Sequence, residues 1–385
     1  MSDLEFRKKI LTSFGAGPKE TDELLAYNTN HFEHTEETKK LTFPLPAEPF
    51  FEAWKGYAEE AKKSSVLQAL QKPIVQFRFP IQEGMGQDDD YISATRQGAS
   101  TDKISKATGL QLSSPDQLQL ILHESAGGLV PALIISSRDD FESILRALTM
   151  HNEPKPVPQS MGACMIKGYN NWDRVQHYRK QWETKDPTHN NDETWPEEFQ
   201  NLIQHKELYQ DRFMLVSSGP YSNVPAESLG LKDEEWKHFS AMIRLHHECV
   251  HFFTLRVFGS MNNNLLDEVL ADYMGIRGAI GSYNAKWFLY FMGLENYPKY
   301  REGGRMQNYL GNPSVSQDSF KILQNLLVSV AKNLEAFDSN MPKGPGSIQE
   351  QASLLLALSS LTLEEMVGEN GVKRCNQAYE KYSVA

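Results

Sequence analysis

Cysteine is scarce in this chain: Cys164, Cys249 and Cys375 are the only three in 385 residues, and no two are close. An odd number at such spacings implies neither a disulfide framework nor a cysteine-ligated zinc cluster. Long apolar runs are missing too. No stretch reaches the roughly 18 apolar residues that a membrane-spanning helix requires. The start, Met1-Ser2-Asp3-Leu4-Glu5-Phe6-Arg7-Lys8-Lys9, is charged and lacks the apolar segment of a secretory signal, so the expected compartment is the cytoplasm. Basic charge is in deficit: 39 Lys and Arg against 50 Asp and Glu leave a formal charge of -11. That balance argues against nucleic acid or an anionic membrane as the main partner. Internal repeats and low-complexity tracts are absent.

What is present can build a substantial core, since 40 % of the residues are hydrophobic. Residues 1–30 read as two short helices broken at Gly15-Ala16-Gly17-Pro18, and a helical pattern runs from about 50 to 70. Val75, Phe77, Phe79 and Ile81 alternate with Gln76, Arg78 and Pro80, which predicts a half-buried strand that Pro80 either places at an edge or ends. Residues 83–115 read as one long irregular loop. Leu118, Leu120 and Leu122, the turn Ser125-Ala126-Gly127-Gly128 and the return Leu129 to Ser137 predict a hairpin. Helices are expected over 138–150, 172–183 and 197–209, and strands over 161–168 and 212–217. From about Lys232 onward nearly everything reads helical; Phe320, Leu323, Leu327, Val330, Leu334 and Phe337 form a buried helix face. The fold class is therefore α+β. A mixed α/β lobe over 1–230 carries a mostly antiparallel sheet, and a helical lobe covers 231–385.

Near the junction stands Arg244-Leu245-His246-His247-Glu248-Cys249-Val250-His251, then Asn264-Leu265-Leu266-Asp267-Glu268-Val269-Leu270-Ala271-Asp272. On a helix, His247 and His251 are i, i+4, so both imidazoles leave one face and can reach one metal ion. Glu248 lies about 100° round from His247, beside that ion but free to take a proton. Phe239, Ile243, His246, Val250, Phe253 and Val257 make the apolar stripe of the same helix, and Gly259 stops it. His246, on the stripe, reads as a hydrogen-bonded core histidine. Cys249, on the far side, reads as a small packed hydrophobe. Asn264 can cap a second helix with Asp267 at its third position. After so short a turn the helices should lie antiparallel. His251 is then about 10 Å before the end of one and Glu268 about 6 Å into the other. The levels nearly match, so Glu268 can complete a His, His, Glu set with a fourth position open to water. Asp272, one turn beyond Glu268, can accept a hydrogen bond from a ligand imidazole and fix its tautomer. The plain alternative is a pair of ordinary histidines with Glu248 solvated.

Over residues 244–276 the pattern resembles the gluzincin branch of zinc metallopeptidases, where His-Glu-x-x-His is followed on a second helix by Glu-x-x-x-Asp. The resemblance implies one Zn2+ per chain held by His247, His251 and Glu268. It makes Glu248 the general base and Asp272 the partner of His247. It also implies a zincin-like fold, sheet first and helices after, with the metal at the junction. The expected function is a zinc-dependent hydrolase, a cytosolic metallopeptidase acting on a peptide or small amide. Tyr300 and Arg305, beside Gly303-Gly304, are candidate oxyanion donors; the plain reading of that segment is a charged helix connection. Leu129 to Ser137, with Pro131 marking an edge, or Arg212 to Tyr221 could hold a peptide extended. The competing expectation is a zincin-like binding or assembly protein whose metal is structural or absent. Glu248 favours the enzyme, because a binding module has no need of a general base.

Overall fold

A computed structural model describes residues 3–189 and 193–383. The fold is α+β, mostly helical with one small mixed sheet. It divides into two units, one of 46–124 and 129–219, the other of 1–45, 125–128 and 220–385. The boundary expected near 230 does not coincide with these units. The first 45 residues belong with the C-terminal helices, because their polar side chains pin them there. Asn263 Nδ2 donates to Asn30 Oδ1 at 2.8 Å, Asn264 Nδ2 to the Tyr27 carbonyl at 2.8 Å, and Arg7 pairs with buried Glu364 at 3.2 Å.

The sheet has strands β1 (Gln119–Ser125), β2 (Gly128–Ile135), β3 (Ala163–Asn170) and β4 (Gln210–Ser217) in the order β1-β2-β4-β3. A nearly continuous apolar run places β2 inside, whereas half-exposed β1 is an edge. Pro131 does not mark an edge: the parallel ladder to β4 begins at Ala132, so its missing N–H leaves no gap there. β3 runs antiparallel to β4, with an irregularity between Lys167 and Tyr169. Gly168, at φ +69°, supplies the left-handed residue there. Phe77, Leu133, Ile135, Phe141, Ile144, Phe213 and Leu215 fill this unit's core.

Two stretches differ from their sequence expectation. Val75–Arg78 is a 3-10 turn, not a strand, although Val75, Phe77 and Phe79 are buried as the alternation suggests. Its carbonyls are taken one by one from outside the sheet. Asn152 Nδ2 donates to Gln76 O at 3.1 Å and to Phe79 O at 3.0 Å, and the Leu110 and Gly109 amides donate to Phe77 O and Arg78 O, both at 2.9 Å. Within the expected 83–115 loop lies a helix, Asp89–Gln97, capped by Asp88 accepting from Tyr91 N at 3.0 Å.

The helical unit is built on α1 (Asp233–Phe258), α2 (Asn264–Ile280) and α3 (Gln317–Asp338). Asp233, Glu234 and Glu235 suit the positive end of α1, and Gly259 at φ +71° closes it. Ile243, Val250 and Phe253 of α1 join Val269, Tyr273 and Ile276 of α2 and Leu323, Leu327 and Leu334 of α3 in one core. A buried ion pair ties α2 to α3. Asp338 accepts from Arg277 Nη1, from Tyr273 Oη at 2.7 Å and from the Tyr283 amide at 2.8 Å. Among the described residues no helix is long and apolar enough to cross a membrane.

α2 touches α1 through Gly275, where an added Cβ would sit 2.9 Å from the Ile243 carbonyl oxygen and 3.6 Å from His247 Cβ. Gly275→Ala should therefore push the helices apart at the level of His247. Overpacking costs about 1–3 kcal/mol, against about 1 kcal/mol gained from helix propensity. The variant is expected to unfold at a lower denaturant concentration than the parent. A variant more stable than the parent, as propensity alone would give, contradicts this packing.

Candidate metal centre

Helical spacing brings the two imidazoles of α1 together, with their Nε2 atoms 3.1 Å apart. The short connection between α1 and α2 sets Glu268 opposite them. Its Oε2 lies 3.6 Å from His247 Nε2, and its Oε1 lies 3.8 Å from His251 Nε2. Metal–ligand bonds of about 2.0–2.1 Å at tetrahedral angles give ligand–ligand distances of about 3.3 Å. The three side chains thus stand close to the edges of such a site. Among the described residues they form the one group of this kind able to hold a metal ion.

Each histidine has its own carboxylate behind it. His247 Nδ1 donates to Asp272 Oδ1 at 3.0 Å, and His251 Nδ1 lies 2.8 Å from Asp267 Oδ2. Asp272 thereby holds the His247 ring with its proton on Nδ1 and a lone pair on Nε2, while Asp267 sets its charge beside the His251 ring. Two bare lone pairs would repel at 3.1 Å, so either a proton or a metal ion belongs between the Nε2 atoms. Glu268 Oε2, buried and without a hydrogen-bond partner, faces the same point. The donor set of two imidazoles and a carboxylate therefore fits a cation.

Electrostatics point the same way. Glu248, Asp267, Glu268 and Asp272 bring four carboxylates to this region. Burial works against a charge on His251, but Asp267, Glu268 and Glu248 together raise its pKa to about 10. Burial also pushes Glu248 above the usual carboxylate range, with Glu268 and Asp267 adding to it and both histidines opposing. Asp272 is the exception: although buried, it is held well below that range by Arg305 and His247.

The residues expected from the sequence fall into different places. Glu248 is buried beside the two histidines that act on its charge. Arg305 reaches the cluster, but behind Asp272: it donates through Nη2 to Asp272 Oδ2 and through Nη1 to Tyr221 Oη at 2.5 Å. Both terminal nitrogens are thus engaged, which argues against an oxyanion role. Tyr300 is not brought in. Its hydroxyl donates to Gly304 O at 2.7 Å and accepts from Gln307 N at 3.1 Å, within its own loop. Cys249 is buried near Ser125 with its thiol pKa pushed up by burial, no thiolate ligand. His246 is half-buried, its ring against Gly278.

Three residues that sequence reasoning missed belong to the cluster. Asn264 does not cap α2: Asn263 holds that position without a side-chain capping bond, and Asp267, expected at the third position of the cap, turns inward to His251. Its adjacency to Glu268 was the available signal. Tyr221, buried, donates to Asp272 Oδ1 at 2.6 Å. Tyr309 sets its hydroxyl against Glu268; burial raises its pKa well above the usual phenol value, Arg305 opposes, and Glu268 adds to the rise. Nothing local in the sequence marks either tyrosine.

A proton shared by the two Nε2 atoms is the rival to a metal ion, and the two compete. With its pKa near 10, His251 holds that proton at pH 7.5 and must release it to become a ligand. Affinity for a divalent ion should therefore rise with pH up to about 10. Calorimetric titration of chelator-treated protein in buffers of different ionisation enthalpy should show about one proton released per ion. Binding with no proton release would contradict the arrangement.

No curated protein and no solved structure matches the chain. One family model does, over residues 9–370, nearly the whole length. The chain belongs to the family of unknown function DUF7005.

Proposed function

We propose that the chain is a zinc-dependent hydrolase of gluzincin type, a cytoplasmic metallopeptidase acting on a peptide or small amide within a zincin-like fold. The observation that carries this reading is the convergence of His247 Nε2, His251 Nε2 and Glu268, with Glu248 beside them. Those three would hold the ion, and mixed imidazole and carboxylate donors with an open fourth position suit catalytic zinc. Bound there, zinc would supply Lewis acidity and lower the pKa of water to about 7.

The chain's own residues then have separable tasks. Glu248, with its proton affinity raised by burial, accepts the proton from the attacking water and passes it to the leaving amine. Tyr309 keeps its proton in this buried, acidic surrounding and donates it in a hydrogen bond to Glu268, which holds that carboxylate toward the histidines. Asp272 and Asp267 hold the imidazoles and take no part in proton transfer.

Glu248→Gln is expected to keep the metal and the fold but to lose turnover of an internally quenched peptide library by about 10²- to 10⁴-fold. Unchanged turnover would sink the role of Glu248, and loss of zinc would make it a ligand. In competitive titration against a chelator, Glu268→Ala should lose zinc almost entirely, whereas Asp272→Ala should weaken it about 10- to 100-fold. A stronger loss for Asp272→Ala would exchange their roles.

A further inference from the structure

We infer that Tyr221 is a positioning residue of the metal centre, which keeps Asp272 on His247 by preventing Asp272 from pairing fully with Arg305. The inference rests on the metal reading above. Tyr221 enters directly after Gly219-Pro220, and its amide donates to Ser240 Oγ at 3.0 Å. Its ring packs edge-on against Phe291 at 4.7 Å and lies between two guanidinium groups, Arg244 at 5.3 Å and Arg305 at 5.1 Å.

The hydroxyl has one hydrogen and three close neighbours. Arg305 Nη1 donates to it at 2.5 Å, so its own proton goes to an acceptor. Asp272 Oδ1 takes that proton at 2.6 Å, leaving His247 Nδ1, at 3.0 Å from the same carboxylate oxygen, to act as donor. Asp272 Oδ2 accepts from Arg305 Nη2. The arginine is thereby split between two acceptors, one nitrogen to Tyr221 and one to Asp272.

Without the hydroxyl, Arg305 Nη1 loses its acceptor. A guanidinium facing a carboxylate favours two parallel hydrogen bonds, one to each oxygen. Turning Asp272 to accept both would draw Oδ1 away from His247. That imidazole would then be free to rotate or change tautomer, and its Nε2 lone pair would no longer be aimed at the ion. The ring's packing survives in Tyr221→Phe, so that variant removes the hydroxyl alone.

The test is zinc affinity by competitive chelation, with the visible absorption spectrum of the cobalt-loaded protein as a second readout. The proteins compared are wild type, Tyr221→Phe, Asp272→Ala and the double variant. Tyr221→Phe is expected to bind zinc about 10-fold more weakly and to change the cobalt spectrum. In the Asp272→Ala background it should cost clearly less than in the wild type, because Asp272 carries most of its effect and only the direct approach of the hydroxyl to His247 Nδ1, at 3.0 Å, remains. Should circular dichroism show Asp272→Ala unfolded, Arg305→Lys replaces it: lysine cannot fork, and there too the second substitution should cost clearly less than in the wild type. Wild-type protein that takes up neither zinc nor cobalt overturns both readings. Metal-binding wild type with an indistinguishable Tyr221→Phe overturns this one alone, as do additive losses in the double variant.

Discussion

Two imidazole nitrogens face each other across 3.1 Å in the helical unit, each turned there by a buried carboxylate on its far side. Burying a carboxylate costs several kcal/mol unless charge or hydrogen bonds compensate. Here Asp267, Asp272 and Glu248 are all buried, and among the pairings around them Arg305 brings one permanent positive charge. A cation at the histidines would offset the remaining negative charge. This is the condition on which the centre depends, and it distinguishes the arrangement from a pair of ordinary helix histidines.

The surrounding structure holds that cluster at its required spacing. Gly275 lets α2 approach the Ile243 carbonyl, so that Glu268 and Asp272 meet histidines on a neighbouring helix. Asn263 and Asn264, tied to Asn30 and Tyr27, set where α2 begins and therefore the level of Glu268. At the other end of α2, Arg277 and Asp338 fix it to α3. Residues distant in sequence complete the centre: Tyr221 before α1, and Arg305 and Tyr309 between α2 and α3.

What could be read in advance was what repeats on a helix. His247 and His251 share a face by spacing alone, and the short turn after Gly259 was enough to level Glu268 with them. Asp272, one turn further, could be assigned to a histidine for the same reason. The place of Asp267 is ambiguous in sequence, because near a helix start an acidic residue at the third position of a cap serves the helix end as readily as a buried partner. Tyr221 and Tyr309 carried no periodic signal, since their positions follow from tertiary packing. The segment around 300 shows the same limit: Arg305 turns inward and Tyr300 binds its own loop, a difference that composition does not encode. In the sheet, the hairpin was legible, but the insertion of β4 beside β2 was not, because a parallel neighbour leaves no local turn signature. Alternation at 75–79 reported burial correctly and pairing incorrectly, since the Asn152 side chain and the Gly109 and Leu110 amides, all outside the sheet, take its carbonyls.

The most direct measurement is anomalous diffraction at the zinc absorption edge from crystals of the zinc-loaded full-length chain. The account requires one strong peak within bonding distance, about 2.0–2.2 Å, of His247 Nε2, His251 Nε2 and a Glu268 oxygen, with Asp267 and Asp272 remaining on Nδ1 of each ring. A peak elsewhere, a site using Cys249 or Asp272 as a ligand, or no peak despite saturating zinc would contradict it.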